Sequence, residues 1–225
     1  MSMIRLHVTA EGQTEMAFVK QILSEYLMVN RNISADARAV LTSKDNKLHI
    51  EHRGGIAKYE KARKDIITWM KEDNHPECRF STMFDYYRLP PDFPGCKLAM
   101  RFSDPYFRIS FIEKAFREDI SDPRFIPYIQ LHEFEALIFA DPDKLDWEYL
   151  DHGGQIGKIR EMSMGINPEL INNHPETAPS KRILNLIPEY DKVTAGVSVV
   201  KHIGMDTLLD RCKHFADWVN TILQL

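Results

Sequence analysis

The run Ile4-Arg-Leu-His-Val-Thr-Ala-Glu-Gly-Gln-Thr-Glu15 decides the fold class of this chain of 225 residues. Apolar and polar side chains alternate from Ile4 to Val8, which predicts a β-strand, and Gly12 permits a sharp turn after it. Apolar residues then recur at helical spacing, at Phe18, Val19, Ile22, Leu23, Tyr26 and Leu27. The stretch therefore predicts a first strand, a turn and a helix that packs one face on a sheet.

The alternation of strands and helices continues to about residue 140. Further strands are predicted over 37–41, 80–87 and 125–131, and further helices over 58–71, 105–118 and 133–140. This order is typical of an α/β fold with an open, mainly parallel sheet flanked by helices. After residue 140, turns separate short helices, and a last long helix is predicted over 205–223. We expect an α/β core over 1–140 and a helical C-terminal extension over 141–225, packed together as one structural unit.

The composition is that of an ordinary globular protein, with 44% apolar and 28% charged residues. No apolar run approaches the roughly 20 residues that cross a bilayer, and the first residues do not resemble a secretory signal. Cys78, Cys96 and Cys212 form no Cys-x-x-Cys pair, so neither a disulfide framework nor a zinc knuckle is indicated. We therefore expect a cytoplasmic protein that does not associate with membranes.

The net charge of −4 does not indicate nucleic-acid binding, but the distribution of charge along the chain is uneven. Between Arg38 and Lys64 the chain carries eight basic residues and three acidic ones, with His49 and His52 among them. Such a region can hold the phosphate backbone of a nucleic acid. It can equally form a solvated loop and helix face, and the sequence leaves both interpretations open.

Glu11 and Glu15 flank the first turn. Acidic side chains at the carboxyl end of a first strand lie where open α/β sheets bind their ligands. Both residues could reach one Mg²⁺, which takes one or two carboxylates together with waters and phosphate oxygens. The alternative for Glu15 is that it only complements the dipole of the following helix.

Asp85 closes the third predicted strand, in the run Phe84-Asp-Tyr-Tyr-Arg-Leu-Pro-Pro-Asp-Phe-Pro-Gly95. In a parallel sheet it falls on the same edge as Glu11. A carboxylate buried among aromatic side chains is costly without a partner, and a metal ion would be such a partner. Tyr86 and Tyr87 could stack on bases or pack in the core. The period of two sends them to opposite faces, so packing is expected for one of them.

A polar trio, His132, Glu133 and Glu135, interrupts two apolar runs in Gln130-Leu-His-Glu-Phe-Glu-Ala-Leu-Ile-Phe-Ala-Asp141. On a helix, Glu133 and Glu135 would point about 200° apart and could not share a site. On a continued strand they would share a face. We therefore expect one of the two glutamates to point at the functional site.

The run Glu176-Thr-Ala-Pro-Ser-Lys-Arg182 places Pro179 at the start of a helix. Ser180, Lys181 and Arg182 could contact a phosphate there or stabilise a developing charge. A plain capped helix is the alternative. Lys181 is the candidate for the phosphate contact.

These four motifs together resemble a bacterial family of unknown function, the one numbered 4276, over nearly the whole chain. The third motif is the most specific. The order of the motifs is similar to that of Toprim domains in nucleases of the overcoming-lysogenization-defect type. Those domains place a Glu after the first strand, a further acid in the next helix and an Asp-x-Asp after the third strand. The resemblance implies a Toprim-like sheet with Glu11, Glu15 and Asp85 as metal ligands.

Tyr87 stands where the resemblance expects the second Asp, so Glu133 or Glu135 becomes the candidate for the missing ligand. The expected function is a metal-dependent nuclease, or another phosphodiester-processing protein, of a bacterial defence-like system. One or two Mg²⁺ or Mn²⁺ ions would be held by Glu11, Asp85 and one of the two glutamates.

Two other classes of function stay open at this point. Members of the family are often encoded beside ATPases, which implies an ATPase partner. The departure at Tyr87 favours a non-catalytic Toprim-derived module that recruits or regulates such an ATPase. A small-molecule phosphohydrolase is the third class, and it would need a closed pocket.

Overall fold

A computed structural model describes residues 3–45, 50–53, 55–171 and 177–225, with the backbone alone for 41–45 and 50–53. The chain divides into two units, Met1–Ile129 and Gln130–Leu225. The segment 130–140, for which the sequence pattern predicts a place in the α/β core, therefore belongs to the second unit.

The first unit is built on a mainly parallel sheet, as the sequence predicts. Its strands are β1 (Ile4–Ala10), β2 (Ile33–Ala39), β3 (Leu41–Asp45), β4 (Ile50–Arg53), β5 (Cys78–Asp85), β6 (Phe125–Ile126) and β7 (Ile129–Gln130). The main sheet has the order β2-β1-β5-β6, with parallel pairing throughout, and β7 also pairs with β5. The strands β3 and β4 form a separate antiparallel pair. Because β1 and β5 are neighbours and parallel, their carboxyl ends meet at one edge.

The helices of the first unit are α1 (Gln13–Phe18), α2 (Ser24–Arg31), α3 (Tyr59–Glu72), α4 (Cys96–Ala99) and α5 (Pro105–Ile120). A π-helical turn, Val19–Leu23, joins α1 to α2 without a break. The apolar residues that predicted this helix are buried at Phe18, Ile22 and Leu27. At Asn32 the chain adopts the left-handed conformation, which Asn tolerates, and β2 follows at once.

The strand predicted over 125–131 is interrupted, because Pro127 follows β6 and has no N–H to offer a ladder. The Thr82 side chain takes over this pairing. Its hydroxyl donates to the Tyr128 carbonyl at 3.0 Å, and the hydroxyl oxygen accepts the Tyr128 N–H at 3.1 Å. The chain therefore stays beside β5 between β6 and β7, where the backbone ladder is interrupted.

The second unit is helical, as predicted for the C-terminal extension. Its helices are α6 (Gly153–Ser163), α7 (Pro179–Leu186), α8 (Val197–Ile203), α9 (Met205–Arg211) and α10 (Lys213–Leu223). Short 3₁₀ turns at Phe134–Ala140, Pro142–Trp147, Leu150–His152 and Pro168–Leu170 precede or separate them, and Lys192–Gly196 is a π-helical turn. The helix predicted over 133–140 is therefore the first of the 3₁₀ turns. In the described ranges, no helix combines the length and the apolarity that crossing a bilayer requires.

The last helix predicted by the sequence is broken in two at Cys212, whose backbone is extended. The break gives α10 an N-terminus of its own, and the buried Glu169 caps it. Glu169 Oε2 accepts the His214 N–H at 2.8 Å, and Oε1 accepts the Phe215 N–H at 2.9 Å. A carboxylate at this position satisfies two backbone donors and complements the helix dipole. Periodicity within 205–223 cannot reveal a cap that comes from residue 169.

Replacing Glu169 with alanine is expected to lower the free energy of unfolding by about 3 kcal/mol, because two buried N–H groups lose a charged acceptor. Urea unfolding followed by circular dichroism measures the change. The matched control is Glu161→Ala, an exposed glutamate on α6, which should change stability by no more than about 0.5 kcal/mol. Equal unfolding midpoints for wild type and Glu169→Ala would show that the cap contributes nothing.

Candidate functional site

Glu11 and Asp85 lie side by side at the carboxyl edge of the sheet. Ala10 is in register with Met83, and the Glu11 N–H donates to the Met83 carbonyl at 2.9 Å. The Glu11 side chain then turns back, and its Oε2 accepts the Asp85 N–H at 3.0 Å. The two residues are only 4% and 5% exposed. The structure thus brings two of the candidate ligands together at the edge where open α/β sheets bind ligands.

Glu15 is also buried and lies in the first turn of α1. Its Oε2 accepts the Gly12 N–H at 2.8 Å, which is the contact of a side chain that completes a helix N-terminus. A Cβ atom at Gly12 would lie 3.3 Å from that oxygen, so the turn is closely packed. One oxygen of Glu15 is therefore used within the turn.

Arg88 lies in the 3₁₀ turn Tyr86–Arg88 directly after Asp85, with its Nε 3.6 Å from Glu11 Oε1. The guanidinium side chain is 59% exposed, so water screens much of its attraction for the carboxylate. Oxygen ligands of this kind fit a hard divalent cation. The ligand atoms of Glu11, Glu15 and Asp85, all in the described part of the chain, are not all within 4.8 Å of one another. Binding one ion through all three requires a change of side-chain rotamer.

The structure does gather His7, Asp73 and Cys78, whose potential ligand atoms lie within 4.8 Å of one another. Arg5 already fills this cluster. It donates to Asp73 at 3.0 and 2.8 Å and contacts Cys78 Sγ at 3.1 Å, while His7 Nε2 lies 2.9 Å from Asp73. The hydrogen bonds from Arg5 hold the pKa of Asp73 far below its usual range, and burial raises the pKa of the Cys78 thiol. We interpret this cluster as an ion-pair network in which a guanidinium replaces a metal.

In the second unit, Glu133 and Glu135 reach the same partner, Lys192. The lysine Nζ lies 3.0 Å from Glu135 Oε1 and 3.7 Å from Glu133 Oε2. Glu133 also accepts the backbone N–H of Ser180, near the start of α7. Glu135 is 1% exposed and Glu133 is 7% exposed. Both glutamates, and not one of them, therefore point at one place.

The backbone explains how the two glutamates converge. His132 adopts the left-handed conformation at φ 64°, which is uncommon for a residue with a Cβ atom and bends the chain after β7. Glu133 is extended and precedes the 3₁₀ turn, and Glu135 lies in the first turn of it. Neither a regular helix nor a continued strand describes this segment.

Tyr190 and Gly196 shape the surroundings of Lys192. Burial and the nearby Glu135 raise the pKa of Tyr190 well above its ordinary value, so the phenol keeps its proton. A Cβ atom at Gly196 would lie 2.6 Å from Tyr190 Oη, so the close approach requires glycine. Asp191 Oδ1 accepts the Thr194 N–H at 2.7 Å and so caps the π-helical turn that begins at Lys192. The lysine is therefore held by a defined turn.

Burial raises the pKa of Glu135 to about 7. The charge of Lys192 acts in the opposite direction, and the charge of Glu133 adds to the increase. A carboxyl group with this pKa exchanges its proton near neutral pH, as a general acid or base does.

Lys181, the predicted phosphate contact, is exposed on α7, and the structure places Lys192 beside the two glutamates instead. The sequence analysis did not identify Lys192 or Tyr190 as functional residues. The run Glu189-Tyr-Asp-Lys192 carries opposite charges beside an aromatic residue, but nothing in it indicates contact with residues 133–135. Glu11, Glu15 and Asp85 belong to the first unit and Glu133 and Glu135 to the second. An ion shared by all of them stays a prediction.

Two arginines of the basic region form ion pairs within the first unit. Arg38 pairs with Asp65 at 3.3 Å and Glu72 at 2.9 Å, and its guanidinium lies 4.2 Å from the centre of the Trp69 ring. Arg63 pairs with an acid of α5 at 2.7 Å. These guanidinium groups are committed to contacts within the first unit.

The exposed cations of this region lie at the start of α3, at Lys58, Lys61 and Lys64. They are the described residues that could meet a phosphate backbone. The side chains of the other basic candidates lie outside the described residues, namely Lys44, Lys47, His49, His52 and Arg53.

Comparison with known proteins matches the chain to one family model. A family model described as a domain of unknown function (DUF4276) matches residues 10–223. No curated protein and no solved structure matches the chain.

Glu135→Gln is expected to remove a pH dependence of stability. Between pH 4.5, the ordinary pKa, and about pH 7 the folded protein keeps a proton that the unfolded chain loses. The contribution of the protonated carboxyl is therefore fully present below pH 4.5 and is lost as the pH rises through about 7. Wild type should lose up to about 3 kcal/mol relative to the Gln variant over this range.

Urea unfolding at a series of pH values, with a chelator present, measures this difference. Glu161→Gln is the control, because this exposed glutamate should leave the pH profile of wild type unchanged. Parallel profiles for wild type and Glu135→Gln would contradict the raised pKa.

Proposed function

The chain belongs to the DUF4276 family, and from that premise we propose that it binds a divalent cation and processes nucleic-acid phosphodiesters. The observation that carries the proposal is the buried pair at the sheet edge, where Glu11 Oε2 accepts the N–H of Asp85. Carboxylate oxygens gathered at one sheet edge are the ligands that Mg²⁺ and Mn²⁺ prefer. Glu15, in the first turn of α1, is a third buried acid, four residues after Glu11.

Each candidate residue of the first unit has a proposed role in binding the cation or the phosphates. Glu11 and Asp85 would hold Mg²⁺ or Mn²⁺, with Glu15 as a further ligand after a change of rotamer. Such an ion supplies charge that activates a water molecule and stabilises the leaving oxygen. Arg88, which is exposed beside Glu11, would orient a phosphate oxygen. Lys58, Lys61 and Lys64 would contact neighbouring phosphates.

The second unit would contribute acid–base chemistry. Glu135 can exchange a proton near neutral pH, and Lys192 fixes its position. Glu133 or Glu135 could instead supply the ligand that Tyr87 does not, provided that Lys192 moves aside. Lys181, exposed on α7, remains the proposed contact for a phosphate in this unit.

A non-catalytic role is the second candidate. Tyr87 carries no carboxylate, and Glu11, Glu15 and Asp85 do not converge within 4.8 Å. Both observations favour a Toprim-derived module that recruits or regulates an ATPase. We place either activity in the cytoplasm, as part of a bacterial defence-like system. The cysteines agree with a reducing compartment, because all three are free thiols.

Replacing Glu11 with glutamine is expected to weaken Mn²⁺ binding at least about tenfold and to leave the fold intact. The amide oxygen can still accept the Asp85 N–H, but it carries no charge for the ion. Titration calorimetry with Mn²⁺ measures the affinity, and circular dichroism checks the fold. Glu25→Gln, an exposed glutamate on α2, is the matched control. Equal affinities in wild type and Glu11→Gln would end the assignment.

The isolated chain is expected to cleave DNA weakly or not at all, because catalysis of this kind depends on fixed coordination that Tyr87 leaves incomplete. Plasmid and single-stranded DNA incubated with Mg²⁺ or Mn²⁺ provide the assay. Robust metal-dependent cleavage that Glu11→Gln abolishes would contradict this expectation and establish a nuclease. Absence of cleavage, both alone and with a co-purified ATPase, would favour the non-catalytic module.

A further inference from the structure

Large apolar side chains are exposed in the segment of the first unit that follows Asp85. Phe107 on α5 is 57% exposed, and Met100, directly after α4, is 69% exposed. Single exposed apolar residues are ordinary, but a contiguous group of them marks a binding site. Together with their neighbours they form a group that we name the aromatic surface: Tyr86, Arg88, Met100, Arg101, Phe102 and Phe107.

Two contacts link members of this group, and the chain itself joins Met100 to Phe102. Tyr86 Oη lies 3.8 Å from Met100 Sδ, which joins the turn after Asp85 to the end of α4. The rings of Phe102 and Phe107 meet edge to face at 4.6 Å. Arg88 connects the surface to the acidic edge, because its Nε lies 3.6 Å from Glu11 Oε1.

The core beneath holds the surface in place. Phe93 is buried between the turn and α4, and its ring lies 4.8 Å from that of Phe116 and 6.5 Å from that of Phe84. Asp92 accepts the Tyr59 N–H at 3.3 Å, which ties the same segment to the start of α3. The segment between the Tyr86–Arg88 turn and α4 is therefore anchored to the core of the first unit, which lowers the cost of ordering it when a ligand binds.

The segment 86–108 carries more basic than acidic side chains: Arg88, Lys97, Arg101 and Arg108 against Asp92 and Asp104. Arg88 and Arg101 are exposed, and so are both aspartates. Each aspartate also accepts a backbone N–H: Asp104 Oδ1 caps α5 by accepting the Phe107 N–H at 2.9 Å, and Asp92 accepts the Tyr59 N–H at the start of α3. A ligand that suits this surface presents flat apolar faces together with negative charge.

We propose that the aromatic surface binds an unpaired nucleic-acid strand, whose bases stack on Phe107, Phe102 and Tyr86 while Arg88 and Arg101 contact its phosphates. Stacking on side chains requires bases whose faces are accessible, which a duplex does not offer. The proposal rests on the proposed function, because it makes the strand the substrate delivered to the Glu11–Asp85 edge through Arg88. It names a surface other than the basic region between Arg38 and Lys64.

Fluorescence anisotropy with a fluorescein-labelled oligothymidylate, in the presence of a chelator, tests the stacking. Phe107→Ala is expected to weaken binding about tenfold, and Phe107→Trp should preserve it. Trp147→Ala is the matched control, since Trp147 is 62% exposed in the second unit and should not matter. A duplex of the same length should bind more weakly than the single strand.

Salt dependence tests the phosphate contacts. Arg101→Ala should reduce the slope of log K against log salt by about 0.7, the value for one phosphate contact on a single strand. Unchanged binding by Phe107→Ala, an equal loss in Trp147→Ala, or equal affinity for the duplex would overturn the proposal. Failure to bind any oligonucleotide would overturn it too. Binding is measured without metal, so this result stands apart from the Mn²⁺ titration of Glu11→Gln, which contains no nucleic acid.

Discussion

The hydrogen bond from the Asp85 backbone N–H to the Glu11 carboxylate joins the ends of β1 and β5. A hydrogen bond to a charged group contributes about 1.5–3 kcal/mol, whereas an isolated buried carboxylate costs considerably more. Parallel pairing of β1 with β5 places both acids at the same edge, and this bond fixes the Glu11 carboxylate against the start of the turn that follows β5.

The second unit holds its buried acids by an ion pair and by helix capping. Glu133 and Glu135 share Lys192, and Glu169 is satisfied by two backbone N–H groups at the start of α10. At the other end of β1, a guanidinium neutralises Asp73. At the sheet edge, Glu11 accepts the Asp85 N–H and lies beside an exposed arginine. The two units therefore hold their buried acids with different kinds of partner.

Local patterns predicted the parts of the molecule that depend on neighbours in sequence. Strand–helix alternation predicted the parallel sheet, and its geometry placed Glu11 and Asp85 on one edge. Contacts between distant residues escaped this reasoning. Lys192 meets residues 133–135 only after the chain has folded, and Arg38 looks like a phosphate contact until Asp65 and Trp69 are seen around it.

The close approach of Gly196 to Tyr190 couples the side chains that these two positions can accept. A methyl group at 196 would lie 2.6 Å from the phenolic oxygen but 3.6 Å from the ring carbon that carries it. Phenylalanine at 190 would therefore accommodate alanine at 196, while tyrosine does not. The two positions are therefore expected to be epistatic, because alanine at 196 forces tyrosine at 190 to shift but leaves room for phenylalanine there.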